Sequence, residues 1–264
     1  MDETGPPTRR WRLLVAYDGS GFRGFAAQVG AAVPTVAGAL AGALARTARL
    51  NGPPQLVCAG RTDAGVHALG QVVHVDLPAS YDGNLAHACN RQLAPAVVVR
   101  DAAPATEGFD ARRSATARHY RYLVWNAPTV HPLQAASTWH VAPPLDLRPM
   151  AAAADSLIGE HDFRAFCRRP PGTDAAQPIR RRIADARWAS HADPDVPDGR
   201  VLRFDVVAGS FCHQMVRSIV GLLVDAGRGR ANAATVLGLL AAGSRSGAPQ
   251  PAPPHGLCLV AVEY

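Results

Sequence analysis

Gly60-Arg61-Thr62-Asp63-Ala64-Gly65-Val66-His67-Ala68 is the stretch from which the rest of the chain is read. An apolar run, Leu56-Val57-Cys58-Ala59, leads into it, and Gln71-Val72-Val73-His74-Val75-Asp76-Leu77 follows with the alternation of a strand. An arginine and an aspartate two positions apart therefore sit in a glycine-bracketed turn beside sheet. Gly60 and Gly65 permit backbone conformations that a Cβ forbids, and they let a ligand approach closely. A short carboxylate held in this way has few rotamers and can be aimed. Taken locally, the same Gly, Thr and Asp pattern also suits an Asx-turn in which Asp63 bonds its own backbone.

Outward from this turn, Trp11 to Tyr17 reads as a strand ended by Asp18-Gly19-Ser20-Gly21, and Thr35 reads as the N-cap of an Ala/Leu-rich helix over 36–50. A helix at about 82–93 and a strand at 96–100 follow. With the two strands flanking Asp63 this gives β-α-β-β-α-β, the ferredoxin-like order. After a connector at 109–114 the pattern predicts strands at 118–126 and 138–141, a helix at 148–158, and a strand starting at 163–167. A polar loop at 172–178 precedes long strands at 179–190 and 200–208. Helices at 211–227 and 231–242 and a closing strand at 257–263 complete the series.

The expected fold is α+β: two ferredoxin- or RRM-like halves with mixed, mainly antiparallel sheets, joined around a central active-site cleft. The expected division is a disordered N-terminal lead at 1–9, an N-terminal half at 10–108 carrying Asp63, and a C-terminal half at 109–264.

With 48% hydrophobic residues the 264-residue chain can build a sizeable core, which argues against global disorder. The net charge is +6, and all 27 basic residues are arginine; with the heavy use of alanine, this reads as the codon bias of a GC-rich genome. Arginine suits phosphate and stacks on bases, so the balance is compatible with nucleic acid. Cys58, Cys89, Cys167, Cys212 and Cys258 are scattered, odd in number and without a Cys-x-x-Cys pair. Neither a zinc knuckle nor a disulfide framework is expected from them. Met1 to Arg10 lacks an apolar signal core, and no apolar stretch is long enough to span a bilayer. The expectation is a reduced, cytoplasmic, soluble protein with no membrane partner.

The nine-residue string resembles, without a substitution, the signature of the TruA family of tRNA pseudouridine synthases, in which Asp63 corresponds to the invariant aspartate. Tyr17-Asp18-Gly19-Ser20-Gly21-Phe22-Arg23-Gly24-Phe25 resembles the family's N-terminal signature. Phe25-Ala26 replaces the usual Trp-Gln there, keeping an aromatic face and losing an amide.

Arg118-His119-Tyr120-Arg121-Tyr122 places Arg118, Tyr120 and Tyr122 on one strand face, and read alone it is half-buried core. It is similar to the family's Arg-x-Tyr-x-Tyr segment, whose tyrosine stacks on the target base, and the match gives that role to Tyr120. In the run from Gly209 to Gly221, Arg217 stands among core-like Met215, Ile219 and Leu222, so it either snorkels or is buried with an anion. It resembles the family's arginine that pairs with the catalytic carboxylate, holding Asp63 ionised and oriented. His161 to Cys167 and Pro254 to Tyr264 also look like family segments, with structural roles. Pro178-Ile179-Arg180-Arg181-Arg182 departs from a Thr-containing version, so contacts there do not carry over.

The resemblance implies isomerisation of uridine to pseudouridine at positions 38–40 of the tRNA anticodon stem-loop by a homodimer. The N1–C1′ bond breaks, the base rotates and rejoins through C5, with no redox change and no incoming group, so no cofactor is expected. Asp63 serves as nucleophile or base, and both routes stay open. Arg61 fills the space left by the extruded base, and with Tyr120 it offsets a flipping cost of about a few kcal/mol. Tyr120 is also the candidate for removing the C5 proton. Arg23 and His67 are further substrate-contact candidates, and no metal ligand is expected. Arg23, Arg112, Arg113, Arg168, Arg169 and Arg180 to Arg182 make the expected phosphate footprint.

Two rival readings compete. A non-catalytic RNA-binding protein on a ferredoxin-like scaffold explains the basicity but not Arg61, Asp63, Tyr120 and Arg217 together. A metal-dependent hydrolase built on Asp63, His67 and His74 lacks a recognised ligand spacing.

Overall fold

In strand β1 (Thr8–Tyr17) every second side chain turns inward: Trp11, Leu13, Val15 and Tyr17 are buried, whereas Arg10, Arg12, Leu14 and Ala16 are only half-buried. This computed structural model describes residues 7–26, 33–169, 172, 174, 177–244, 247 and 250–264. Most of the expected lead at 1–9, and part of the expected loop at 172–178, lie outside the described residues. The chain forms two units, Met1–Thr116 with Leu259–Tyr264, and Ala117–Cys258.

The first unit follows β1 with helix α1 (Val36–Thr47), strands β2 (Val57–Cys58) and β3 (His67–Pro78), helix α2 (Leu85–Leu93) and strand β4 (Val97–Pro104). Thr35 caps α1 as expected, its hydroxyl accepting from the Gly38 N–H at 3.2 Å. The helix seats Val36, Ala37, Leu40, Ala41 and Leu44 in the core and ends three residues before the expected Leu50. Asn84 caps α2 in the same way through the His87 N–H. β1 lies between β3 and β4, antiparallel to both, and β2 adds to the far side of β3. Val72, Val73, Val75 and Leu77 of β3 are all buried, so this strand is covered on both faces.

The second unit contains β5 (Ala117–Asn126), β6 (Trp139–Val141), α3 (Leu147–Asp155), β7 (Gly159–Asp162), β8 (Arg180–Ala192), β9 (Arg200–Ala208), α4 (Met215–Gly227) and α5 (Ala233–Ala242). Its strands run in the order β5-β9-β8-β7 with antiparallel pairing, and β6 joins β5 in parallel. α4 is apolar nearly all round and buries Met215, Ile219, Leu223 and Val224. Strand β10 (Leu257–Glu263) returns to the first unit beside β3. The class is α+β with mainly antiparallel pairing, as the sequence predicts.

Three expectations are corrected. The strand expected from Phe163 is a 3-10 turn, Arg164–Phe166, preceded by the short strand β7. Asp162 causes this: its carboxylate accepts from the Arg164 N–H at 3.1 Å and the Ile179 N–H at 2.9 Å, drawing the chain out of the ladder. The helix expected from Phe211 begins at Met215, because Gln214 is in the left-handed region at φ 63°. The cysteines are not all unlinked: Cys167 and Cys212 form a disulfide, with Cα atoms 5.7 Å apart, between the 3-10 turn and the loop before α4.

Candidate active site

Asp63 stands in a turn between β2 and β3, closed by the Val66 N–H donating to the Asp63 carbonyl at 3.2 Å. The positive φ expected of the bracketing glycines occurs at Gly65 (77°) and not at Gly60. Asp63 is half-buried, Arg61 is exposed, and Thr62 between them is buried.

Backbone, more than side chains, fixes this turn. A Cβ on Gly19 would fall 2.0 Å from the Val66 carbonyl oxygen, and one on Gly24 would fall 2.7 Å from the Thr62 carbonyl oxygen. Only glycine lets the 17–25 segment lie this close on both sides of Asp63. The Phe25 N–H donates to the Thr62 carbonyl at 3.1 Å, and the Gly19 N–H donates to His67 Nδ1 at 3.1 Å. Below the turn, the Tyr17 hydroxyl lies 2.8 Å from Thr62 Oγ1, and Gln71 Nε2 donates to the Gly60 carbonyl at 2.7 Å. Phe25, which stands where the resembling signature has tryptophan, is buried against Tyr17, with ring centroids 6.1 Å apart.

The first unit therefore brings Arg61, Asp63 and His67 into one turn, with exposed Arg23 on the segment packed against it. His67 faces the backbone of Gly19 and lies 3.1 Å from Asp18, and His74 Nδ1 accepts the Ala111 N–H at 2.9 Å. Both imidazoles thus hold the chain through Nδ1. Among the described residues no three His, Cys, Asp or Glu side chains cluster as a metal site.

In the second unit Tyr120 is buried on β5 and meets the Phe211 ring edge-on, with centroids 5.1 Å apart. Its neighbour on the same face, Tyr122, donates its hydroxyl to the Pro253 carbonyl at 2.7 Å; burial pushes that phenol's pKa up, against the opposing pull of the nearby Arg217. Arg118 on this face donates to the Gly209 carbonyl at 2.5 Å. Arg217, in the first turn of α4, is half-buried. Its Nε donates to the Ala252 carbonyl at 2.7 Å, and the Ala252 N–H donates back to the Arg217 carbonyl at 2.9 Å.

Sequence reasoning missed three supports. Gln71 was readable as a lone amide in an apolar strand, and it is fully buried beneath the Asp63 turn. Asp205 was readable as an acid in a core strand. Its carboxylate meets Arg121 Nε at 3.0 Å, His119 Nε2 at 3.1 Å and Arg203 Nε at 2.7 Å. Ala252, which holds Arg217, carries no signal at all.

A protein from Frankia casuarinae called tRNA pseudouridine synthase A is 45% identical over 97% of this chain and 89% of its own length. The chain belongs to the tRNA pseudouridine synthase family. A second relative of that name, from Streptomyces griseus, is 40% identical over all of this chain and 90% of its own length. A third, from Geotalea uraniireducens, is 37% identical over 97% of this chain and its own full length. The family model for tRNA pseudouridine synthase matches residues 153–264, which include Arg217. A solved structure from Galdieria sulphuraria has a TM-score of 0.25 and 14% identity over 84% of this chain and 94% of that one, a likeness too weak to inform the fold.

Proposed function

We propose that this tRNA pseudouridine synthase isomerises uridines 38, 39 and 40 in the tRNA anticodon stem-loop, with Asp63 as the reacting carboxylate. The observation that carries this reading is the Asp63 turn, pinned by the backbone of Gly19 and Gly24 so that a half-buried carboxylate is presented with little freedom. A reacting group held in one geometry lowers the barrier by removing orientational entropy before the chemical step. Asp63 acts either by attack at the sugar or by taking the 2′ proton, and both require it ionised. Arg217 is the cation assigned to this carboxylate, and its anchorage on Ala252 supports a fixed guanidinium.

Arg61 is exposed and free of the core, which suits a side chain that enters the RNA stack as the base leaves. Tyr120 offers its ring to the flipped uracil, held upright by Phe211, and is the candidate base for the C5 proton. His67 and Arg23 border the turn and complete the proposed contacts. The strand order β4-β1-β3-β2 of the first unit supports a ferredoxin-like half. The enzyme works in the cytoplasm as a homodimer, and no helix among the described residues is long and apolar enough to cross a membrane.

The test uses anticodon stem-loop RNA carrying tritium at C5 of uridine, with EDTA present. Wild-type protein is expected to release tritium and Asp63→Ala to release none. Tight RNA binding without release by wild type on several intact tRNAs would favour the non-catalytic RNA-binding protein instead. Release by both proteins would keep the synthase and remove Asp63 from its centre.

A further inference from the structure

Three consecutive arginines, Arg180, Arg181 and Arg182, open β8, where they pair with Asp162, His161 and Glu160 of β7. Together with Glu160 and with Gly209 and Ser210, just past the end of β9, they line a recess of about 200 Å³. Strand alternation sets Arg180 and Arg182 on one face, roughly 7 Å apart along the chain, with Glu160 on the same face. Three cations there meet one recess-lining carboxylate. That carboxylate is loosely held, its Oε1 lying 3.8 Å from Arg180 with both side chains more than half exposed. The other acid of this strand pair, Asp162, is already engaged by Arg164 and the Ile179 N–H. Arg181 donates to the Arg180 carbonyl at 2.6 Å, while its buried Nε meets no acceptor.

We propose that this recess binds a phosphodiester of the RNA substrate. Arg180 and Arg182 are the clamp, Ser210 contributes a hydroxyl donor, and Glu160 is the opposing charge that keeps the grip weak enough for release. Excess guanidinium charge around a small polar recess suits a phosphate oxygen cluster, since arginine matches that geometry with paired donors. The loop at 209–214 runs from this recess into α4 and Arg217, so a phosphate held here fixes RNA against the loop that precedes the proposed catalytic cation. The inference rests on the synthase reading for the identity of the RNA.

The experiment measures binding of fluorescent anticodon stem-loop RNA by anisotropy between about 50 and 200 mM salt. Arg180→Ala/Arg182→Ala is expected to reduce the slope of log affinity against log salt by about 1 to 2. It should also raise KM several-fold with kcat at saturation unchanged. Glu160→Gln should shift affinity the other way, tightening binding about twofold, which a merely structural role would not do. An unchanged salt slope in a double variant that melts like wild type overturns the proposal, as does weaker binding by Glu160→Gln. Tritium release by wild type is read in parallel. An arginine-dependent slope without release upholds the recess and sinks the synthase reading, whereas release with an unmoved slope sinks the recess alone.

Discussion

The phenol oxygen of Tyr17 lies 2.8 Å from the hydroxyl of Thr62, in the core of the first unit and one residue before Asp63. Gln71 reaches the same phenol at 3.4 Å while holding the Gly60 carbonyl. The turn thus stands on a small buried polar cluster. Tyr17→Phe removes its central atom and leaves Thr62 and Gln71 short of a partner, at a cost of about 1–3 kcal/mol. Denaturant unfolding should show that loss. Single-turnover kinetics should show at least about a tenfold fall in rate with RNA affinity nearly unchanged, because the proposed reacting carboxylate is then less well aimed.

Gly19→Ala tests the backbone side of the same turn. The added methyl would sit 2.0 Å from the Val66 carbonyl oxygen, so the Asp63 turn or the 17–25 segment must move. The expected destabilisation is about 1–3 kcal/mol, with turnover reduced by roughly a hundredfold if the shift approaches an ångström. Gly21→Ala, where a methyl meets open space, is the control and should behave like wild type in both assays.

Histidine 74 predicts a pH dependence. Burial pushes its pKa down and the nearby Arg10 adds to this, against the weaker pull of Asp110 and Asp76. Its Nδ1 accepts the Ala111 N–H, so the folded protein favours the neutral ring. Below the ordinary histidine value of about 6.5 the unfolded chain takes up a proton that the folded chain refuses. The stability this residue contributes is therefore present above that value and is lost as pH falls toward the lower folded pKa. Urea unfolding at about pH 7 and pH 5 should show a decline in wild type that is flatter in His74→Gln.

Asp205 should matter to stability although it is not among the proposed site residues. Burial alone would raise its pKa, but the hydrogen bond and charge of Arg121, then Arg203 and His119, overcome this and hold it below the usual carboxylate range. Its contribution is present above about pH 4 and is lost as pH falls through the depressed value. Asp205→Ala strands Arg121 and Arg203 and should cost about 3 kcal/mol, read as a fall in Tm of roughly 5–10 °C.

The cysteines give a chemical prediction. Burial pushes the Cys58 thiol up to about 11, partly opposed by the charge of Arg61. At neutral pH it should alkylate on the order of a hundredfold more slowly than an exposed cysteine. Under non-reducing denaturation three thiols should titrate, Cys58, Cys89 and Cys258, rising to five after dithiothreitol. Five thiols before reduction would contradict the Cys167–Cys212 bond.

What the sequence revealed followed local physics. Thr35 and the Ala/Leu run after it announce α1, and the alternation from Trp11 to Tyr17 announces β1 and its buried face. Gly65 and Asp63 announce a turn. The failures arose where a distant partner decides the conformation. Phe211 to Gln214 continues a helical pattern, yet the disulfide to Cys167 and the left-handed Gln214 keep it out of α4. Phe163 to Cys167 has strand-like composition, but Asp162 captures the Ile179 N–H and turns the chain. The contacts of Gly19 and Gly24 with the Asp63 turn, and of Ala252 with Arg217, join residues that no spacing relates. Asp205 gains its partners only through the register that sets it opposite Arg121.

The return of β10 to the first unit has a consequence for synthesis. Tyr264 packs on that unit, its ring 5.0 Å from Phe109 and its hydroxyl on the Ala111 carbonyl, and the Thr116 N–H bonds the Glu263 carbonyl. These contacts come from a strand that leaves the ribosome only after all of the second unit. The sheet that carries the Asp63 turn therefore lacks β10 beside β3 while the intervening polypeptide is translated. Completion of the first unit is therefore expected to be a late closure across a long sequence separation, which slows folding in general. A nascent chain stalled before Leu257 should carry Asp63, the proposed reacting carboxylate, on an unfinished scaffold.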